Sequence, residues 1–420
     1  MTATTKKVVR PSLFIGLALA AGFCVQVAQA STVAVGTCRI NLTHFATIQL
    51  AVNAVPAGST IQICPGNYPE QVMINKGLTL TGVATATANA VVISPPAGGM
   101  IANTTDQRGA VAAQILVQNT AGPVVITNLT VDGKGNQYNN DDLRGILYQD
   151  ASGTVGHVAV RNEIPGDIPT GIQSGQGIMV ETTNASSASL TVQNSSVHNY
   201  NKNGIVARYA GATLTATGNY VQGYGPTSII AQNGIELAFN GARGAIRNNT
   251  VIDNFYTPTS SSSSDILLYD SAESAGISVS GNTLGNSNIA IALITTTPGT
   301  YGDFISVTGN KIFGTSTFDG IDVCTSGNTV TGNTIFNSAQ SAIHLDGTCG
   351  TTTGYNNIVT GNTILESACA GILDDSSGSG FNNYATDTYY TVPFTIAYGT
   401  TGCTFPGVPT RPKTHGKIRP

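Results

Sequence analysis

The sequence predicts an all-β chain wound into a parallel β-helix, and three observations support this prediction. A phrase such as SVTGNKIFG at residues 306–314 recurs along the chain, and a second phrase with a Gly-Ile core falls between its copies. No ten-residue stretch inside the repeats has the periodicity of an amphipathic helix. The Asn of the first phrase recurs every 23 to 33 residues, at Asn219, Asn249, Asn282, Asn310, Asn333 and Asn362.

Each phrase alternates apolar and polar residues over a few positions, which is typical of a strand with one buried face. The Gly and Asn residues between the strands fit turns that need a positive φ. A β-propeller needs about 40 to 50 residues for each blade, so this spacing does not favour one. We therefore predict about ten coils, each about 4.8 Å further along the axis, with the aligned Asn side chains hydrogen-bonded from coil to coil.

A short helix is predicted before the first coil. Ile48, Val52 and Val55 share one helical stripe, and Pro56 and Gly58 end it. The whole stretch at residues 47–82 resembles the N-terminal part of the pectin-lyase-like right-handed β-helix superfamily, particularly pectinesterases and secreted β-helix repeat proteins. This resemblance implies a right-handed coil whose apolar end is closed by the helix.

The resemblance covers the architecture of residues 45–375 and no catalytic motif. Pectinesterases carry a Leu-Gly-Arg-Pro-Trp segment, whereas this chain has no Trp. The Asp-His strand and the Arg near a Pro of pectate lyases are missing as well. Of the polygalacturonase motifs, only an Asp-Asp pair at residues 374–375 and a single His344 remain. A shared fold does not by itself specify a reaction.

The N-terminus has the pattern of a secretory signal peptide. Lys6, Lys7 and Arg10 precede an apolar stretch, and Ala28-Gln29-Ala30 provides the small residues of a cleavage site before Ser31. We predict a signal peptide at 1–30, a β-helix domain at 31–403 and a disordered, basic, Pro-rich tail at 404–420. The protein is expected to be secreted or periplasmic, without a membrane span and as a monomer.

Charge and cysteine content agree with export. Without residues 1–30 the chain has 15 Lys and Arg against 22 Asp and Glu, which argues against nucleic acid as a partner. Six cysteines remain, and an even number in an exported chain suggests disulfides. We predict the pairs Cys38–Cys64, Cys324–Cys349 and Cys369–Cys403, although the last four cysteines allow three pairings.

Candidate catalytic residues follow from the second phrase. If its Ile points inward, the residues one and three positions later point outward. This rule places acidic and imidazole groups on one face of three consecutive coils, with Asp322 and Asp346 roughly 8 Å apart, a separation suited to an acid–base pair. The predicted catalytic residues are Asp322, His344, Asp346 and Asp375, and the predicted substrate-binding residues upstream on the same face are Glu181, Arg208 and Glu236.

Other interpretations of this face remain open. The carboxylates could hold Ca²⁺, which would let an acidic protein bind an acidic polymer, or they could be solvated surface. No residue is assigned as a metal ligand and no cofactor is required. A second acidic stretch, at residues 132–142, fits a loop turn better than a Ca²⁺ site because Gln137 replaces the Gly of an EF-hand.

Two classes of function are compatible with the sequence. The first is a secreted protein that binds or processes an extracellular polysaccharide, as a glycoside hydrolase or lyase acting in an acidic surface groove. The alternative is a non-catalytic surface or structural β-helix module. The absence of Trp weakens the usual sugar-stacking surface, although the 15 Tyr can replace it.

Overall fold

A computed structural model describes most of the chain. The described residues are 1–3, 29–84, 90–138, 142–183, 187–257, 261–272, 276–349, 354–376 and 382–399. Most of the predicted signal peptide and the whole of the predicted tail at 404–420 lie outside the described residues. No helix among the described residues is long and apolar enough to cross a membrane.

Three long parallel sheets form the molecule. The first sheet has 14 strands: Thr43–Phe45, Thr32–Val35, Thr60–Ile63, Thr79–Gly82, Val124–Thr127, Gly153–Gly156, Ala188–Gln193, Ala212–Thr217, Arg243–Arg247, Ser278–Ser280, Ser306–Thr308, Thr329–Thr331, Ile358–Thr360 and Asn383–Ala385. The second has 12 strands: Gly66–Pro69, Val91–Ser94, Thr130–Asp132, Ala159–Arg161, Ser196–His198, Tyr220–Thr227, Thr250–Tyr256, Thr283–Ser287, Lys311–Thr315, Thr334–Ser338, Thr363–Ser367 and Thr388–Tyr390.

The third sheet has 13 strands and carries the candidate site. Twelve are parallel: Val72–Ile74, Gly109–Gln118, Leu143–Gln149, Gln176–Glu181, Asn203–Arg208, Asn233–Ala238, Ser264–Tyr269, Ile289–Ile294, Ile321–Val323, Ile343–Leu345, Ala370–Asp374 and Phe394–Tyr398. The thirteenth, Thr104–Asp106, pairs antiparallel with the strand that follows it. The helical segments among the described residues are the α-helix Ile48–Ala54 and the 3₁₀ turns Pro165–Asp167 and Gly347–Cys349.

The chain visits the three sheets in turn, so that it winds as a right-handed parallel β-helix, as predicted. Twelve three-strand coils follow one another within the described residues, where about ten were predicted. Part of the difference comes from coils that lack the Gly-Ile core. Asp265 and Ala290 stand where the repeat has Gly, yet Ile266 and Ile291 still align with the inward Ile residues of the neighbouring strands.

The inward side chains form one continuous apolar column. In the third sheet its members stack in register and are fully buried, at Ile115, Ile146, Ile178, Ile205, Ile235, Ile266, Ile291, Ile321, Ile343 and Ile372. Burial of an Ile side chain contributes about 1.5–3 kcal/mol, so this column is the main stabilising element of the fold.

The predicted asparagine ladder is present. Each Asn donates from Nδ2 to the Oδ1 of the Asn one coil further on, at 2.9–3.0 Å, from Asn219 through to Asn362. At five of these turns a Gly with φ between 64° and 67° precedes the Asn, a conformation that costs a non-glycine residue about 1 kcal/mol or more. Asp387, whose carboxylate only accepts, ends the ladder by bonding both the backbone N–H and Nδ2 of Asn362.

The first coil is closed as predicted. Thr47 caps the helix Ile48–Ala54, and the carboxylate of Glu70 accepts from the backbone N–H groups of Ile48 and Gln49 at 2.8 and 2.9 Å. Ile48, Ala51 and Val52 are buried against the end of the apolar column. The disulfide Cys38–Cys64, with a Cα–Cα distance of 5.6 Å, ties the preceding segment to the first coil.

Replacing one ladder residue should destabilise the protein measurably. Asn310→Ala removes the side-chain bonds to Val279 O and Asn333 and leaves Asn282 without its acceptor. We expect a loss of about 2–4 kcal/mol in the free energy of unfolding, because several buried groups lose their partners. Chemical denaturation measures this loss, and Asn67→Ala, at an exposed strand position, should change stability by less than about 0.5 kcal/mol. Equal effects of the two substitutions would contradict the role of the ladder.

Candidate functional site

The outer face of the third sheet brings together most of the predicted site residues. Ile321, Ile343 and Ile372 are in register and point into the core. Asp322 and His344 therefore occupy neighbouring positions on the outer face, one coil apart. Asp346 and Asp375 follow the ends of the next two strands, beside them on the same face.

A further carboxylate belongs to this group. Asp319 lies two residues before Ile321 and is fully buried, with Oδ2 at 3.1 Å from Nδ1 of His344. Strict alternation places the residue two positions before an inward Ile on the inward side, so it does not predict Asp319. Asp319 precedes the strand Ile321–Val323 and is therefore not bound by the alternation. Asp319, Asp322, His344, Asp346 and Asp375 are called the acidic cluster below.

His344 is held between two carboxylates. Its Nδ1 faces Asp319, and its Nε2 lies 3.2 Å from Oδ2 of Asp375. Burial alone would lower the pKa of His344, but these two carboxylates outweigh burial and raise the pKa to about 10. His344 therefore carries a positive charge at neutral pH. In turn, His344 and the backbone N–H of Gly347 outweigh the effect of burial on Asp375 and lower the pKa of its carboxyl group.

The acidic cluster is more buried than a surface groove would be. The prediction of an outward face is correct for strand geometry, but Asp319, Asp322 and Asp346 are fully buried and His344 is 4 % exposed. The disulfide Cys324–Cys349 crosses this face, since Cys324 Sγ lies 4.0 Å from Asp322 Oδ1 and 3.8 Å from Asp346 Oδ2. Alternation shows on which side of a strand a residue lies, but not which later segment packs over it.

The same contacts limit the distance within the predicted acid–base pair. Both carboxylates touch one sulfur atom, so Oδ1 of Asp322 and Oδ2 of Asp346 are at most about 8 Å apart, the separation expected from coil spacing. Cys324–Cys349 is the predicted pairing. Cys369 is also disulfide-bonded, while its predicted partner Cys403 lies outside the described residues.

The spacing of ligand atoms in the acidic cluster is compatible with a cation. Ligand atoms of Asp319 and Asp322 lie within 4.8 Å of one another, and so do those of Asp346 and Asp375. Because His344 is positively charged, the carboxylates rather than the imidazole would provide the ligands.

The second acidic stretch has a structural role. Asp132 accepts hydrogen bonds from Arg161 and Asn162 at 2.8 and 2.7 Å, and Asp142 forms an ion pair with the buried Arg144 at 2.7 Å. Residues 139–141 lie outside the described residues. The described carboxylates of this stretch are therefore neutralised by protein groups.

The three predicted substrate-binding residues lie upstream on the same face. Glu181 and Arg208 are paired in register on adjacent strands, and Glu236 lies on the next strand. A pocket opens beside them, lined by Arg108, Gln173, Lys202, Asn203, Arg208, Asn233, Glu236, Phe239 and Leu267. We call it the Arg208 pocket. Glu181 is not among its lining residues.

Aromatic side chains border this part of the face. The rings of Tyr209 and Phe239 are 6.2 Å apart and those of Phe239 and Tyr269 are 5.5 Å apart. The guanidinium of Arg208 lies 5.4 Å from the centre of the Phe239 ring. Tyr209 and Tyr269 are buried and Phe239 is half-buried.

The architecture is the parallel β-helix that the sequence predicts, with three parallel sheets that the chain visits in turn. The chain is similar to the A-module of mannuronan C-5 epimerase AlgE4 from Azotobacter vinelandii, at a TM-score of 0.47 and 17 % identity, over 84 % of this chain and 93 % of that one. It is also similar to an alginate lyase from Paenibacillus sp., at a TM-score of 0.39 and 14 % identity, over 88 % and 98 % of the two chains.

A third similar structure is the Streptococcus pneumoniae surface protein and adhesin PfbA, at a TM-score of 0.43 and 12 % identity, over 84 % of this chain and 94 % of that one. At such identities these similarities concern the fold alone. Comparison with protein families finds no match, and comparison with curated proteins finds none either.

The charge on His344 should make stability depend on pH. A raised pKa in the folded chain means that the charged form stabilises the fold fully below the unfolded-state pKa of about 6.5, and that this contribution is lost as the pH rises toward about 10. The difference in melting temperature between the parent and His344→Gln should be largest near pH 6 and shrink by pH 10. His44→Gln, at an exposed position, should show no such trend. A difference that stays constant with pH would exclude a charged His344.

Proposed function

We propose that the protein binds and processes an extracellular polysaccharide on the outer face of its third sheet, as a glycoside hydrolase or lyase, with the acidic cluster as the reaction centre. The observation that supports this most directly is the arrangement around His344. An imidazolium is held between Asp319 and Asp375, with Asp322 and Asp346 on the same face. A scaffold alone gains little from so much buried charge, because its desolvation is costly.

The chemistry available to the acidic cluster is proton transfer. In hydrolysis with inversion, one carboxyl group protonates the leaving oxygen and a second takes a proton from the attacking water. Asp322 and Asp346 are the proposed pair, and their carboxylate oxygens are at most about 8 Å apart and both in contact with Cys324 Sγ. His344 would orient Asp319 and Asp375 and supply positive charge. In elimination, one of these carboxylates would take a proton from the sugar ring, the electron pair left behind would form a C=C double bond, and the glycosidic oxygen would leave with a proton from a second carboxyl group.

Calcium is the cation that is proposed for the acidic cluster. Ca²⁺ prefers several carboxylate oxygens, and the acidic cluster offers four carboxylates, with closely spaced ligand atoms within the pairs Asp319–Asp322 and Asp346–Asp375. Asp319, Asp322, Asp346 and Asp375 would hold it. The ion would supply a fixed positive charge near the sugar, and the protein groups would still move the protons.

The surrounding structure supports the proposed substrate class and compartment. Stacked coils make the outer face of the third sheet a long strip on which equivalent side chains repeat about every 4.8 Å, a shape suited to a polymer. The rings of Tyr209, Phe239 and Tyr269 border it. Disulfides such as Cys38–Cys64 persist in oxidising compartments, which supports an exported protein.

Catalysis is tested by incubating purified protein with a panel of polysaccharides. Reducing ends indicate hydrolysis and unsaturated ends indicate elimination, and each assay is run with and without a chelator. On the substrate that reacts, Asp322→Asn and Asp346→Asn should each lower turnover about 10²-fold or more, because acid–base help is lost. Glu366→Gln is the matched control, since this carboxylate is exposed on a strand of the second sheet.

The same variants separate the alternative functions. If the acidic cluster only binds Ca²⁺ in a non-catalytic surface module, the Asn variants should weaken calcium binding, measured by calorimetry, while the parent releases no product. Variants that match the parent in turnover, calcium affinity and glycan binding would contradict any functional role of the acidic cluster.

A further inference from the structure

The Arg208 pocket contains a charged group without a partner. Arg208 is 4 % exposed, and its Nε and Nη1 have no hydrogen-bond acceptor among the described residues. A buried polar group left without a partner costs about 1–3 kcal/mol, and a charged one costs more. Arg208 nevertheless lines an open pocket, which is where an acceptor from a ligand could reach it.

The nearest carboxylate does not satisfy Arg208. Glu181 is paired with it in register one coil away, but the Oε1 of Glu181 accepts from Gln149 at 2.9 Å and its Oε2 has no partner. Burial raises the pKa of Glu181; the charges of Arg144 and Arg208 oppose this rise, and Asp106 adds to it. Glu181 and Arg208 thus lie side by side without a hydrogen bond between them.

Cationic side chains outnumber acidic ones in the lining of the pocket. Arg108, Lys202 and Arg208 are present, and Glu236 is the single acid. The amides of Asn203 and Asn233 donate to Oε2 of Glu236, so that carboxylate already has partners. Lys202 donates to Ala231 O at 2.7 Å, which uses one of its three N–H bonds. Arg108 also lies 3.9 Å from Oδ1 of Asp142, so the excess of positive charge in the pocket comes from Lys202 and Arg208, in a chain with a net charge of −4.

Phe239 adds a flat apolar wall. Its ring is 5.4 Å from the guanidinium carbon of Arg208 and lines the pocket together with Leu267. A ring beside a cation and an apolar side chain can contact the C–H face of a sugar while the cation binds a charged substituent of that sugar.

We infer that the Arg208 pocket binds an anionic substituent of the glycan, a carboxylate or a sulfate ester, with Arg208 as the main donor and Lys202 and Arg108 as supporting charges. The inference rests on the proposed function, because it takes the ligand to be part of a glycan chain. It adds that the substrate is an acidic polysaccharide.

Position along the face relates the pocket to the acidic cluster. Glu236 and Asp322 occupy the same outward column, separated by Leu267 and Ala292. Three coil steps put them about 14 Å apart along the axis. The sugar bound in the Arg208 pocket would therefore be separated by further sugar residues from the glycosidic bond that reacts at the acidic cluster. The Arg208 pocket is thus a binding subsite rather than part of the reaction centre.

The experiment measures the binding of three oligosaccharides by calorimetry at low and high salt. The probes are a galacturonic acid hexamer, a hexasaccharide carrying sulfate esters and a neutral glucose hexamer. The parent protein should bind one or both anionic probes at least tenfold more tightly than the neutral one, and salt should weaken this binding. Comparison of the affinities for the two anionic probes shows whether the pocket prefers a carboxylate or a sulfate ester.

Variants assign the binding to the pocket. Arg208→Gln should lower the affinity for the anionic probe at least tenfold and leave the affinity for the neutral probe unchanged. Lys202→Gln should lower the affinity for the anionic probe to a smaller extent. Lys202→Gln also serves if Arg208→Gln fails to fold, which a melting curve reveals. Lys311→Gln removes the same charge from an exposed strand position in the second sheet and should bind like the parent.

The outcomes keep this inference separate from the proposed function. Equal affinity of the parent for neutral and anionic probes, or no effect of either pocket variant, overturns the inference even if the protein cleaves a neutral polymer. Retained anionic binding in Asp322→Asn supports the inference even if no polysaccharide is processed. On an acidic substrate that reacts, Arg208→Gln should raise KM with little change in kcat, whereas Asp322→Asn should lower kcat.

Discussion

The hydrogen bonds between consecutive asparagines keep successive coils in register. Each side chain from Asn219 to Asn333 donates from Nδ2 to the Oδ1 of the Asn in the next coil, and that Oδ1 also accepts from the backbone N–H of the earlier Asn. A turn of fixed shape at the same point of each coil forces the strands that follow it to start in line. Coils of 23 to 33 residues can therefore differ in their loops while residues on the strands remain stacked. The arrangement of the third sheet depends on this alignment, because residues at equivalent positions of successive repeats are stacked on the same face of the sheet.

Alignment explains how a chain with few charges concentrates them. Only 10 % of the residues are Asp, Glu, Lys or Arg, yet eight acidic or basic side chains on the outer face of the third sheet are buried among the described residues, at Arg144, Glu181, Arg208, Glu236, Asp319, Asp322, His344 and Asp346. Burying a charge is expensive unless it is paired. Arg144 and His344 meet this condition through neighbouring carboxylates, whereas Arg208 does not. This contrast separates charges that hold the fold together from a charge that is available to a ligand.

Much of the fold could be predicted because its determinants are local. The inward Ile residues, the Asn positions, the helix at residues 48–54 and the pairs Cys38–Cys64 and Cys324–Cys349 follow from spacing and alternation. The acidic cluster was predicted in part, since Asp319 lies before the inward Ile rather than after it. Its burial could not be predicted, because alternation does not show that the Cys324–Cys349 disulfide lies against Asp322 and Asp346 through Cys324 Sγ. The coil number was too low where Asp265 and Ala290 replace the expected Gly.

In a β-helix, the distance between two side chains on different coils is set by the number of coils between them. Insertion or loss of a residue in a loop alters a coil without moving the strands, whereas insertion or loss of a whole coil between Glu236 and Asp322 would move the two groups apart or together by about 4.8 Å. The distance between the anchoring point and the reacting bond thus varies in discrete steps. The number of coils between Glu236 and Asp322 therefore sets the distance between the Arg208 pocket and the acidic cluster. Removal of the coil that holds Leu267 or the coil that holds Ala292 would shorten this distance by one coil step.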